Sequence, residues 1–279
     1  MSTVNGSVRE ALRVQPGVVN LAGYDTAATP LAAGKKAKTL AATVEAGPTL
    51  AGQQERLWAE GTRSLLLVLQ GIDTAGKGGV VTHVVGQLGP EAVKVTAFKK
   101  PTPEELAHHF LWRIRRALPG PGIVGVFDRS HYEDVLVPRV HELVPEAEWR
   151  HRYDEINAFE AELAAGGTTL VKCFLHVSYA EQRERLLARL DDPTKHWKFH
   201  ESDIDERAYW SDYQAAFAGM LEHCTTDAAP WYVVPSDRKW YRNWAISQIV
   251  GEAFADLDPQ YPQSDLDIPR LRKRLEPPY

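Results

Sequence analysis

The sequence is poor in cysteine and methionine, with two of each. Cys173 and Cys224 form no CxxC pair and fit no metal-ligand spacing. That argues against a disulfide framework and against a cysteine-based metal site, and two buried, reduced thiols are expected. No apolar stretch reaches the roughly 18–20 residues that a bilayer span needs. The N-terminal residues carry neither the basic nor the apolar region of a signal peptide. A membrane partner is therefore not expected, and the expected location is cytoplasmic. An excess of basic charge is also missing: the formal net charge is −5. This excludes a nucleic-acid partner held by a broadly basic surface, so any anionic ligand has to be drawn to a local basic pocket. No internal repeat and no low-complexity tract interrupts the chain.

What is present is the alternation of an α/β protein. The 279 residues, 44% of them hydrophobic, can fill one decorated domain or two small ones. Continuous apolar runs suit parallel strands buried on both faces. Ser64–Gln70 is such a run, and further strands are read at Val93–Phe98, Ile123–Phe127, Thr168–Val177 and, more briefly, Trp231–Val234. Between them the pattern predicts helices over Lys77–Leu88, Glu146–Ala165 and Tyr179–Leu190. Another starts at Thr102, where Pro103 and Glu105 complete a capping box, and the spacing of Leu106, Phe110, Ile114 and Leu118 extends it as one helix. Strands alternating with helices imply a parallel sheet. Residues 1–50 have weak periodicity and read as an N-terminal extension, packed on the surface or crossing to a partner subunit. Residues 51–260 form the main domain. Residues 261–279 read as a surface-tracking tail in a proline-rich end, with five prolines after Leu257.

The strongest motif is Gly71-Ile72-Asp73-Thr74-Ala75-Gly76-Lys77-Gly78, directly after the first buried strand and at the opening of a helix. That is the context a phosphate-binding loop requires. Gly76 and Gly78 allow backbone N–H groups to turn toward phosphate oxygens, the helix N-terminus adds partial positive charge, and Lys77 adds a full one. One thing is again missing. The Ser or Thr that normally follows the lysine and binds Mg²⁺ is Gly78. Asp73, an acid beside a polyanion, is tolerable where a divalent cation sits between them, so it is a candidate metal ligand. The competing reading is that it caps the loop's own N–H groups.

A second acid, Asp128, ends the third strand, where a metal carboxylate belongs in such sheets. With Asp73 it would share Mg²⁺. Arg129 follows, placed either to stabilise charge on a transferring group or to pair with Glu133 or Asp134. His131 reads as a packed residue rather than a general base, because a nucleotide phosphate is already an anionic nucleophile. After the fourth strand, Arg183, Arg185, Arg189, Lys195 and Lys198 form a basic cluster over about 180–210, the place for a mobile lid that closes on phosphates. Lys99 and Lys100 end the second strand, as an extension of a basic track or as a simple exposed pair.

Four segments, GIDTAGKGG, TAFKKPTPEELAHHFLWR, FDRSHYEDVLV and DDPTKHWK, resemble in order and spacing the second polyphosphate kinase family. The resemblance runs from about residue 15 to about residue 260. It implies a three-layer α/β/α P-loop kinase-like fold with a five-stranded parallel sheet and a helical lid. It also implies Mg²⁺ or Mn²⁺ as cofactor, inorganic polyphosphate and AMP, ADP or ATP as ligands, and a homodimer or homotetramer. Asp73, Lys77, Asp128 and Arg129 match the family's catalytic positions, the lid cations its phosphate-binding positions, and Gly78 its norm. Lys99 and Glu133 are the candidate nucleotide contacts. His131-Tyr132-Glu133-Asp134 replaces the Trp-Tyr-Asn-Arg of members that use one acceptor, which resembles the subclass phosphorylating both AMP and ADP. The alternative is an ATP-dependent nucleotide kinase on the same fold. A nucleotide switch is disfavoured by the lack of an Asn-Lys-x-Asp motif, and a non-catalytic polyphosphate-binding module by the two carboxylates.

Overall fold

The computed structural model describes residues 6–276. Residues 1–5 and 277–279, the ends of the two terminal segments delimited above, lie outside the described residues. In chain order the elements are α1 (Val8–Leu12), α2 (Lys36–Glu60), β1 (Ser64–Gln70), α3 (Lys77–His83), β2 (Val93–Ala97), α4 (Pro103–Leu106), α5 (Leu111–Ala117) and β3 (Val124–Asp128). They continue with α6 (Glu133–Val140), α7 (Glu146–Ala165), β4 (Thr168–His176), α8 (Tyr179–Leu190), α9 (Ser202–Asp205), α10 (Trp210–His223), β5 (Trp231–Pro235), α11 (Lys239–Leu257) and α12 (Ile268–Leu275).

The five strands are all parallel, in the order β2-β3-β1-β4-β5. Alternate side chains of one strand go to opposite faces. Leu65, Leu67 and Leu69 of β1 join Val80, Trp244, Ile249 and Phe254 in a core beneath α2, α3 and α11. Leu66 and Val68 join Phe127, Ile156, Phe159, Phe217 and Trp231 beneath α5, α6, α7 and α10. Both faces are thus covered at the centre of the sheet, which is why β1 reads as an unbroken apolar run, whereas edge strand β2 stays partly exposed, with Val95 46% exposed. Central β1 lies between β3 and β4. The chain reverses its direction of winding there, and the crevice beyond the carboxyl end of β1 is the natural ligand position.

The N-terminal segment packs on its own chain. Val14 N donates to Trp231 O at 2.9 Å, and Arg13 pairs with Tyr232, so the free edge of β5 is covered. The boundary drawn at residue 50 falls inside α2. Two helices are shorter than their patterns predict. The one expected over Lys77–Leu88 stops at His83, where Gln87 Nε2 donates to His83 O at 2.5 Å and a 3₁₀ turn follows. The run of β-branched residues before Gly86 supports a long helix poorly. The helix expected to run on from Thr102 breaks into α4 and α5. The capping box forms at Thr102. At the break, the His109 ring accepts from Leu111 N at 3.4 Å and reaches Glu155 at 3.1 Å. Leu106 consequently leaves the predicted stripe and is 69% exposed.

Candidate active site

The loop between β1 and α3 is shaped by close approaches. A Cβ at Gly71, whose φ is +150°, would lie 2.8 Å from Leu175 O of the neighbouring strand, so only glycine fits. Thr74 holds a φ of 67° without being glycine. Such backbone strain persists only where surroundings over-determine it. Here Arg185 does so. Its Nη1 donates to Thr74 O and Ala75 O at 2.9 Å each. Its Nη2 donates to Ser236 O and Asp237 O at 2.5 and 3.1 Å, and its Nε to Glu181 at 2.8 Å. All five guanidinium N–H groups are spent. Arg185, expected to grip phosphate from the lid, has these donors engaged in clamping the loop to the turn after β5, on the wall of the neighbouring cleft.

The reacting side of the loop gathers residues from the ends of β1 and β3. Lys77 is 7% exposed, and its Nζ donates to Gly71 O at 2.6 Å. Burial lowers the pKa of this ammonium, helped by Arg129 and opposed by Asp73, Asp128 and Glu133. Asp73 forms an ion pair with Arg129, which also reaches Glu133 at 3.4 Å. Burial alone would push the Asp73 carboxyl up, but Lys77, Arg129 and Arg189 outweigh it and hold it below its ordinary value. Burial works against the Arg129 charge, while Glu133, Asp73 and Asp128 more than restore it and raise its pKa. Arg129 also adopts a φ of 65°, with its N–H on Leu69 O at 3.0 Å. Of the two readings of Arg129, the pair with Glu133 is formed, and a second pair with Asp73 joins it. Gln70 also donates to Glu133, a contact the sequence patterns did not suggest. Gly78 is exposed, with no atom within 4 Å of where a Cβ would stand.

His131 is absent from this group. It is fully buried, with Nε2 3.1 Å from Glu160. Glu160 also accepts from Tyr132 Oη at 2.8 Å and from Lys172 Nζ at 2.5 Å. This closed network lies behind the turn that carries Asp128 and Arg129. Burial opposes the Glu160 charge, yet Lys172 and His131 hold its pKa below the ordinary value.

The other side of the loop opens on a cleft of about 1520 Å³ between α2, α3, α8 and the start of α11. Arg189, Lys195 and Lys198 line it, together with Lys36, Arg238, Lys239 and Arg242, which no motif had marked. Lys195 pairs with Asp192 at 2.8 Å, and Lys198 lies over the Trp197 ring at 4.7 Å. Arg183 does not join them. It sits two residues from Glu181 and Arg185, hence across the helix, and it pairs with Glu184 at 2.9 Å in solvent. Lys99 is exposed, with its carbonyl accepting from Arg113 Nη1 at 3.0 Å.

Metal binding has a specific chemical constraint here. Among the described residues, no group of three His, Cys, Asp or Glu side chains could hold an ion. Asp73 and Asp128 offer two oxygen-donor carboxylates near Lys77. This donor set fits a hard cation that takes its remaining oxygens from water and substrate, as Mg²⁺ does.

Known proteins share this architecture. The family model for polyphosphate kinase 2 (PPK2) matches residues 34–262. The AMP/ADP-polyphosphate phosphotransferase of Meiothermus ruber is 44% identical over 254 residues, covering 91% of this chain and 95% of that protein. The ADP-polyphosphate phosphotransferase of Rhodopseudomonas palustris is 42% identical over 238 residues, covering 81% of each. The crystal structure of polyphosphate kinase 2 from Arthrobacter aurescens TC1 superposes with a TM-score of 0.93 at 48% identity over 98% of both chains. The family model spans most of the chain, and on that match the chain belongs to the polyphosphate kinase 2 family.

Proposed function

We propose that this protein transfers the terminal phosphate of inorganic polyphosphate to AMP and to ADP, giving ADP and ATP, and that the reaction is reversible. The observation that carries the reading is the pairing of two unlike sides on one loop. The reacting side holds Lys77, Arg129 and three acids, and the other side opens on a long cleft lined by cations. A linear polyanion has charge to neutralise well beyond its reacting end, and the cleft supplies cations there. The homologues' names, which pair polyphosphate with AMP and ADP, point the same way.

In this reading, an oxygen of the nucleotide's terminal phosphate attacks the terminal phosphorus of the chain. The bond to the bridging oxygen breaks, and the chain leaves one phosphate shorter with the negative charge. No proton has to move, which agrees with a His131 sealed against Glu160. Lys77 and Arg129 stabilise the charge that develops on the transferring group. Asp73 holds Arg129 in place through their ion pair. Asp73 and Asp128 would hold Mg²⁺ or Mn²⁺, which when bound neutralises phosphate charge and helps set the in-line geometry. Arg189, Lys195 and Lys198 bind the chain as the α8 segment closes. Glu133, fixed by Gln70 and Arg129, and Lys99 face the nucleotide. The cytoplasm as location and a homodimer or homotetramer as assembly complete the proposal.

The test is ATP formation by the purified protein from long-chain polyphosphate and Mg²⁺, started once from ADP and once from AMP. ATP from both is expected. ATP from ADP alone would keep the donor and remove the dual-acceptor reading. Absence of product from both would overturn the function.

A further inference from the structure

One charged group in the cleft lacks the counter-charge that its burial calls for. Arg242, on the first turn of α11, is 3% exposed. Its Nη1 donates to Ala75 O at 3.2 Å, and its Nε and Nη2 donate to Asn243 Oδ1 at 3.1 and 2.9 Å. No carboxylate pairs with it among the described residues, and the second N–H on each terminal nitrogen has no partner there. A buried guanidinium without an anion is costly. Burial, and then the neighbouring Arg185, lower its pKa to about 10. Arg185 has every donor engaged by carbonyls and Glu181; Arg242 keeps free donors on the wall of the cleft.

The loop is built to admit this side chain. A Cβ on Gly76, where φ is +111°, would stand 1.7 Å from Arg242 Nη1. The glycine thus serves close approach of an arginine as well as a phosphate turn. Lys239, exposed on the same first turn, lines the cleft beside it. Arg238 gives α11 no side-chain cap, so the first N–H groups of a 19-residue helix face out with the positive end of its dipole. The acids nearby are engaged. Asp237 accepts from Ser178 N and Thr26 Oγ1 at 2.8 and 2.7 Å, and Glu181 accepts from Arg185.

We propose that Arg242, Lys239 and the uncapped start of α11 form a second phosphate subsite, which takes an internal phosphate of the donor chain and not the phosphate being transferred. This rests on the polyphosphate reading above. The separation follows from the lining of the cleft. Arg242 and Lys239 line the cleft, and Lys77, Arg129, Asp73, Asp128 and Glu133 are not part of that lining. A chain gripped behind the loop presents its end to Lys77, and a nucleotide donor with its base following the third phosphate would carry no phosphate into this subsite.

Two experiments on the full-length protein test it. The first measures KM for long-chain polyphosphate, KM for ADP and kcat in Arg242→Gln and Lys239→Ala. The second titrates the same proteins with inorganic tripolyphosphate by calorimetry. Losing hydrogen bonds to a charged group predicts a rise in KM for polyphosphate of roughly ten- to a hundredfold for Arg242→Gln and less for Lys239→Ala. KM for ADP stays as it was, Arg242→Lys recovers part of the loss, and tripolyphosphate binding weakens in parallel. An unchanged KM for polyphosphate, or an equal rise in KM for ADP, overturns the subsite. Should Arg242→Gln fail to fold, exposed Lys239 decides alone on the same criteria. Wild-type protein that binds tripolyphosphate through Arg242 yet makes no ATP would keep the subsite and sink the polyphosphate kinase reading. Tripolyphosphate binding that is equal in wild type and both variants would sink the subsite alone.

Discussion

Two charged networks lie back to back around the turn at residues 128–133, and they differ in one respect. The inner one, His131, Tyr132, Glu160 and Lys172, is sealed at 0% exposure, and its acid and base bond directly to each other. The outer one, Asp73, Arg129 and Glu133, keeps about a third of the Asp73 and Arg129 side chains in solvent. Similar residue types therefore do different work. A closed network spends its hydrogen bonds on holding the turn; an open one keeps oxygens and N–H groups that a phosphate and a cation can reach. Even the strained φ of Arg129 fits this division, because the residues behind it are pinned.

The comparison can be broken at either network. Lys77→Ala, on the open side, is expected to cut turnover by ~10²–10³, the scale of losing one transition-state donor. Near-full activity in that variant would take Lys77 out of the chemistry. Asp73→Asn should abolish metal-dependent activity while leaving the melting temperature close to wild type. If the variant keeps the wild-type response to Mg²⁺ titration, Asp73 is not a ligand.

On the closed side the signature should invert. Lys172→Met leaves Glu160 and its neighbours without their cation, at a cost of ~3–5 kcal/mol in denaturant unfolding, with much less effect on kcat per folded molecule. The pH dependence follows from the same pair. Although burial opposes it, Glu160 is held below the ordinary carboxylate value of 4.5. A depressed folded pKa contributes stability that is complete above the unfolded value and is lost as pH falls toward the folded one. Without Lys172, acid unfolding should therefore begin at a higher pH; identical acid midpoints for wild type and variant would show that the pair is not coupled to folding. The smallest effect belongs to Arg183→Ala. Paired with Glu184 in solvent, it should change KM for polyphosphate by less than about twofold, and a larger rise would bring Arg183 back to the cleft.

The sheet was legible strand by strand, with every strand end within about one residue of its expected bound. The phosphate loop was legible because strand, glycines and lysine follow one another in one short segment. The capping box at Thr102 was legible for the same reason. The misreadings came where a local pattern met a distant partner. The single helix expected through Leu118 is interrupted where His109 turns to Glu155, 46 residues away. Arg185 was grouped correctly on the face of α8 with Arg189, but that face meets Thr74 O, 111 residues back.

Residue order alone was enough for the α/β alternation, the loop with its acid, the acid that ends β3 and the basic cluster along and after α8, because each is written in neighbouring residues. Arg242 carried no such signal. Its meaning depends on Ala75 O, 167 residues away, and on the Cβ that Gly76 lacks. Periodicity reports which face of a helix is buried, not which carbonyl, carboxylate or open cleft that face will meet. Whether a buried arginine is spent on the backbone, as Arg185 is, or left with free donors, as Arg242 is, follows from the way distant segments pack, since only then is each N–H given a partner or left without one.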